Sequence, residues 1–204
     1  MKIKFLKAFF KVLLVNSLLL SGSSSAKQGA DKNMAVAMFA GGCFWCMESP
    51  FDALTGVIST ISGYTGGHTE NPTYKEVSNG KTGHSEAVQV TYDPAMMSYE
   101  TLLEVFWHNI DPFDEKGEFC DRGDQYKATI FYLDEQQKNL AEASRVVMEK
   151  RLLDKVIVTS IKPAGKFYPA EDSHQNYYLK HPILYEFYRF TCGRDRRLNK
   201  IWNE

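Results

Sequence analysis

Cysteine is scarce in this chain, with four among 204 residues. That is too few for the disulfide framework of a small secreted scaffold, and a chain of this length can bury a core without one. An excess of one charge is also missing: 24 basic residues against 25 acidic ones leave a net −1, so no field draws the protein to nucleic acid. The apolar stretch at residues 12–20 is short and broken by Asn16 and Ser17, not enough to cross a bilayer comfortably. A G-x-G-x-x-G turn, a second C-x-x-C and a His pair at finger spacing are absent as well, which argues against a dinucleotide site and against structural zinc. What is present is 44% hydrophobic, 24% charged and 13% aromatic residues, the balance of a globular protein with a ring-rich core or cleft. No internal repeat or linker divides it.

The first residues carry a different signal. Lys2, Lys4, Lys7 and Lys11 precede the apolar stretch, and no acidic residue comes before Asp31. Ser21 to Ala26 are all small, with Ser24 and Ala26 at the spacing a signal peptidase reads. The expectation is an export signal over 1–26, cleaved near Ala26, and one mature domain over 27–204. That places the protein in the periplasm or an equivalent space, without a stable membrane anchor. Removing four lysines moves the charge to about −5.

Along the mature chain the hydrophobic period changes repeatedly. Residues 34–40 (MAVAMFA) read as a buried strand. Gly41-Gly42 ends it, and a helix is expected from Cys43 toward Leu54, kinked at Pro50. A strand at 57–61 precedes a long loop, 62–85, rich in Gly, Asn and Thr; loops of that length are often functional. Residues 86–92 (EAVQVTY) alternate as a strand. Ser98 then caps a helix carrying Tyr99, Leu102, Leu103, Phe106 and Ile110. After a loop at 111–125, a strand is expected near 127–133, a helix capped by Asp134 and Gln137 to about 152, and a strand near 156–161. An aromatic tail ends in a helix after Gly193. Strands and helices without strict alternation predict an α+β, two-layer sandwich around a mixed sheet, a single domain.

Chemistry concentrates in three places. In Gly41-Gly42-Cys43-Phe44-Trp45-Cys46, a thiol at a helix start meets unpaired N–H groups, which predicts a stabilised Cys43 thiolate, and Cys46 lies three residues on, within disulfide reach. Alternation sets Glu86 on the face of Val88, Val90 and Tyr92, where burial favours a protonated carboxyl able to act as an acid; a strand starting at Ala87 would leave it in water. The loop residues Tyr74, Asp121 and Tyr126 offer donors that can hold an oxygen, although each taken singly reads as a packed ring or turn residue. His68, His84 and His108 read as structural or surface residues, and His174 and His181 have no recognisable partner. Cys192 is too far along the chain to rank.

Together GGCFWC, GYTGGHTENPTY, GHSEAVQVTYDP, FCDRGDQY and AEDSHQNYY resemble the peptide methionine sulfoxide reductase A family over residues 38–178. The resemblance implies a ferredoxin-like core and a shallow cleft for the S epimer of methionine sulfoxide, protein-bound or free, with thioredoxin or a thioredoxin-like domain as reductant. It implies Cys43 as nucleophile, Glu86 as acid, Tyr74, Asp121 and Tyr126 around the sulfoxide oxygen, and Phe44 and Trp45 as walls for the methyl group. No metal, flavin or nicotinamide is called for, and a monomer is expected. The chain departs from many relatives in having Cys46 where they have glycine and in lacking their glycine-rich tail with recycling cysteines, which leaves Cys46 and Cys120 as rival resolving thiols. Three other readings compete: a thioredoxin-type oxidoreductase, which does not account for the tyrosines or GHSEAV; an inert, disulfide-stabilised exported module; and a basic patch at Arg194, Arg196 and Arg197, which reads as a solvated helix face.

Overall fold

Alternation along Ala35–Ala40 (β1) sends Ala37 and Phe39 to one face of a sheet and Met38 and Ala40 to the other, and all four are buried. The structure, a computed structural model, describes residues 34–152 and 155–202; the expected export signal over 1–26 lies outside the described residues. After β1 come α1 (Phe44–Asp52), β2 (Val57–Thr65), a short α2 (Tyr74–Ser78), β3 (Ser85–Tyr92) and α3 (Tyr99–His108). The small pair β4 (Gly117–Glu118) and β5 (Asp121–Arg122) and a 3-10 turn at Asp124–Tyr126 lead to β6 (Thr129–Tyr132) and α4 (Glu135–Arg151). The chain then runs through β7 (Ser160–Pro163), β8 (Tyr168–Pro169), α5 (Tyr177–Lys180), α6 (Pro182–Cys192) and α7 (Arg194–Trp202).

The main sheet has the order β7-β6-β1-β3-β2-β8. All its pairings are antiparallel except β6 with β7, so the sheet is mixed. Its centre, β6-β1-β3-β2, with α1 joining β1 to β2 and α3 lying between β3 and β6 in the chain, is the expected ferredoxin-like core of an α+β domain. One face packs Phe39, Val88 and Val90 against Phe44, Met47 and Phe51 of α1, Leu102 and Phe106 of α3, Ala141 of α4 and Trp202 of α7. Phe39 stacks on Phe51 and Phe106 with ring centroids 5.1 and 5.2 Å apart. Each large side chain buried here contributes roughly 1.5–3 kcal/mol. On the opposite face Met38, Ala40, Ala87 and Phe131 lie under Ala164 and Phe167.

The helix signals act as read. Ser98 accepts the Thr101 N–H at 3.2 Å. Asp134 accepts the Gln137 N–H at 2.8 Å, while Gln137 takes the Leu133 N–H at 3.0 Å. Pro50 lies inside α1, which ends two residues later rather than at Leu54.

Two expectations need correction, and a third, the tail helix after Gly193, is met by α7 with one helix more before it. The loop expected over 62–85 begins later, because β2 continues to Thr65 and pairs Gly63 with Ala87 and Tyr64 with Glu86. Ser62, Tyr64 and Thr65 look like loop residues but are fully buried, and Gly63 is small because a Cβ there would fall 2.4 Å from the Tyr168 carbonyl oxygen. The strand expected at 156–161 starts only at Ser160, opposite the first residue of β6; before it, the Val158 N–H bonds the Pro112 carbonyl instead. The aromatic tail contains α6 before Gly193, which closes that helix at φ 71°.

Candidate active site

The centre of the site is the turn between β1 and α1. Gly42 has φ 84°, and a Cβ there would come within 2.6 Å of the Glu118 Cβ, so only glycine fits. The turn delivers Cys43 to the N-cap of α1, where its side chain makes no capping bond. The first N–H groups of the helix therefore need acceptors from elsewhere. Phe44 N–H donates to Glu86 Oε2 at 3.2 Å, and the backbone N–H of Cys43 acts on the carboxyl of Asp121.

Glu86 lies on the face of Val88 and Val90 and is 1% exposed. Burial pushes its carboxyl up to about 8, against the pull of the Phe44 N–H and with a smaller push from Asp121. Its Oε1 has no conventional hydrogen bond, and the Tyr126 hydroxyl interacts with the group. Here is a carboxyl that keeps its proton at neutral pH beside a thiol.

The thiols themselves correct one expectation. Cys43 and Cys46 are both free and buried, and burial pushes the Cys43 thiol up, with its interaction with Cys46 adding to the push. The N–H groups expected to stabilise its thiolate are turned on two carboxyls. Cys46 is the member that moves down, to about 7, because Cys43 donates to it, and Arg194 adds to the pull. The pair thus holds one proton between two sulfurs near neutrality.

Aromatic rings wall this turn. Phe44 lies 6.2 Å from Tyr74 and 6.4 Å from Trp45 between ring centroids. Burial pushes the hydroxyls of Tyr74 and Tyr126 up, with Glu86 next among the causes, so both remain neutral donors. Tyr74 opens α2 behind a Thr73–Glu76 capping box, and its N–H bonds Glu171 at 2.8 Å, whose other oxygen takes the Tyr64 hydroxyl at 2.8 Å. His174 does have a partner: its Nδ1 accepts the Trp45 indole N–H at 3.2 Å, and its ring lies 4.2 Å from that of Tyr74. Tyr177 stacks on Trp45 at 3.8 Å. Glu171, His174 and Tyr177 carry no individual sequence signal for these roles; the AEDSHQNYY segment that contains them is the one pointer to them.

Asp121 adjoins the same turn. Burial pushes its carboxyl up, against the Tyr188 hydroxyl, which donates to its two oxygens at 2.7 and 2.6 Å. Cys120 is bonded to Cys192, closing a separation of 72 residues. Cys120 is therefore no free rival to Cys46 in this structure, and Cys192, unranked from the sequence, reaches the site because α6 folds back over it. With Asp121 these sulfurs lie close enough to suggest a metal cluster, but they are bonded to each other. The patch read as a solvated face also divides: Arg194 is 1% exposed, and its guanidinium donates to the carbonyls of Gly41 at 3.1 Å and Asn109 at 2.6 Å. No local sequence signal separates it from Arg196, which stays at the surface.

A family model described as peptide methionine sulfoxide reductase matches residues 35–204. The chain is 52% identical over 168 residues to peptide methionine sulfoxide reductase MsrA of Bacillus licheniformis, covering 82% of this chain and 93% of that one. The MsrA of Halalkalibacterium halodurans is 50% identical over 175 residues, 85% of this chain and 99% of its own. Among solved structures, methionine sulfoxide reductase A of Corynebacterium diphtheriae aligns at TM-score 0.67 and 32% identity, over 76% of this chain and 78% of that one. Reduced Mxr1 of Saccharomyces cerevisiae aligns at 0.68 and 28% identity, over 74% and 87%.

Proposed function

The chain belongs to the peptide methionine sulfoxide reductase family and reduces methionine sulfoxide, and from that premise we propose a division of labour among its residues: Cys43 attacks the sulfoxide sulfur, Glu86 protonates the oxygen, and Cys46 resolves the product. The oxygen of a sulfoxide leaves poorly unless it gains a proton, so attack by sulfur must be coupled to an acid. The observation that carries the reading is Glu86, buried, raised to about 8 and hydrogen-bonded to the residue next to Cys43. Cys43 passes its proton to Cys46 as it attacks, since Cys46 is the thiol of the pair that ionises first. Methionine leaves and Cys43 becomes a sulfenic acid. Cys46 then condenses with it, forming the S–S bond and releasing water, and an external dithiol reduces the bridge through a mixed disulfide.

Tyr74, Tyr126 and Asp121 hold the oxygen while Phe44 and Trp45 receive the methyl group. A site with oxygen donors on one side and rings on the other separates sulfoxide epimers, because exchanging the two substituents sets oxygen against the rings. The S epimer, in proteins and as the free amino acid, is the substrate that the family resemblance implies. The enzyme works as a monomer in the repair of oxidised proteins. Export through residues 1–26 is supported by the lysine-rich start and by the Cys120–Cys192 bond, which suits an oxidising compartment. The reductant there is a thioredoxin-like domain.

A coupled assay with separated epimers tests the central reading. Methionine formation from the S epimer alone is expected, and equal rates with both epimers would contradict it. Fractionation with N-terminal sequencing tests export: a mature chain starting near Lys27 is expected, and an intact Met1 in the cytoplasm would contradict it.

A further inference from the structure

Asp121 sits on the turn between β4 and β5, which their pairing and the Arg122 guanidinium, donating to the Phe119 carbonyl, hold from within. Phe119, in the link between β4 and β5, has φ 56°, a left-handed conformation that a bulky residue rarely adopts and that persists only where the surroundings enforce it. The rest of those surroundings comes from the far end of the chain. Cys120 is bonded to Cys192 at the end of α6. One helical turn earlier, Tyr188 donates to both oxygens of Asp121 and stands edge-on to Trp45, with ring centroids 6.0 Å apart. Two residues after Cys192, the Arg194 guanidinium covers the Phe119 ring at 4.4 Å and donates to the Gly41 carbonyl at 3.1 Å. Residues 188–194 thus grip both the Asp121 turn and the Gly41–Gly42 turn that presents Cys43.

On the functional reading given above, we propose that Tyr188 is a positioning residue for sulfoxide reduction, acting through Asp121 on the Cys43 turn, and that the Cys120–Cys192 bond is the brace that keeps it there. The bond and the hydroxyl join the same two elements at neighbouring residues, 120 with 192 and 121 with 188. A covalent link one turn from Tyr188 limits how far its hydroxyl can drift from the carboxyl. The hydroxyl fixes the direction of that carboxyl and so the acceptor offered to the Cys43 N–H. In this role the bond carries no electrons. Cys43 and Cys46 complete the chemistry between themselves, and the second pair sets their geometry.

Asp121 is faced by Tyr188 from α6, by Arg194 from α7 and by Arg122 beside it. Glu86, the two thiols, Tyr74 and Tyr126 face it from the site. Burial raises its carboxyl and the Tyr188 hydroxyl lowers it. Loss of the hydroxyl leaves the upward push less opposed, so Asp121 takes up a proton at higher pH and becomes a weaker acceptor for the Cys43 N–H.

The experiment measures the first methionine released per enzyme, in a single turnover across pH, for wild type, Tyr188→Phe and the double variant Cys120→Ser/Cys192→Ser. Tyr188→Phe keeps the ring against Trp45. The proposal expects about tenfold slower release for Tyr188→Phe, a smaller slowing for the double variant, and in both an acid-side loss of rate that begins at higher pH. Wild-type release in the double variant with loss of reductant-driven turnover would make the pair an electron relay and overturn the proposal. Wild-type release and turnover with only a lower melting temperature would make it an inert staple, which overturns it as well. If the double variant does not fold, Tyr188→Phe decides with the bond intact: an unchanged rate and profile would remove the positioning role. Failure of the underlying reading looks different, since wild type itself would then release no methionine.

Discussion

The molecule holds two pairs of cysteines in opposite states. Cys43 and Cys46 are three residues apart, buried and free; Cys120 and Cys192 are 72 residues apart and bonded, with Cys120 at the surface. Nearness along the chain does not decide which pair is closed. At the start of α1 the two thiols share a proton, with the helix N–H groups engaged by Glu86 and Asp121. The distant pair joins elements that no other covalent link holds together among the described residues. The first arrangement suits chemistry and the second suits geometry.

The comparison breaks most completely at Cys43. Cys43→Ser is expected to release no methionine even at high enzyme concentration, because a hydroxyl here stays protonated and attacks sulfur far more weakly; a single-turnover rate near wild type would move the nucleophile elsewhere. Glu86→Gln is expected to lose about 10²–10⁴-fold in rate at neutral pH, read in the same assay, with the Phe44 N–H still accepted by the amide oxygen. A carboxyl raised from 4.5 to about 8 in the fold makes the native state less stable as pH climbs through that window. The glutamine variant should therefore lose less melting temperature than wild type between those two values. Cys46→Ser sharpens the contrast between the pairs: it should still release one methionine per enzyme and then stop, as counted by product per active site.

How far this was legible can be followed residue by residue. GGCFWC and the alternation of EAVQVTY located Cys43, Cys46 and Glu86 because strand period and turn chemistry act over a few positions. The capping residues Ser98 and Asp134 were readable for the same reason. The raised Cys43 thiol was not, since it depends first on burial and then on Cys46, with Glu86 and Asp121 adding to the push. Tyr188, Cys192 and Arg194 were hidden too, because only the return of α6 and α7 over the site gives them roles. Ser62–Thr65 looked like loop because burial, which composition does not record, made it strand.

Smaller effects separate the pairs further. Removing the Cys120–Cys192 bond should cost roughly 2–5 kcal/mol of stability, measured by denaturant titration of the Cys120→Ser/Cys192→Ser variant. The rate of wild type should fall above about pH 8, as Glu86 loses its proton, and below about pH 7, as Cys46 gains one. A single-turnover pH profile reads both limbs.

The most direct measurement oxidises the reduced Cys43–Cys46 enzyme with one equivalent of methionine sulfoxide and maps the disulfides by mass spectrometry. The account predicts a new Cys43–Cys46 bridge beside an unchanged Cys120–Cys192 bond. A bridge from Cys43 to Cys120 or Cys192, with Cys46 left as a free thiol, would contradict it.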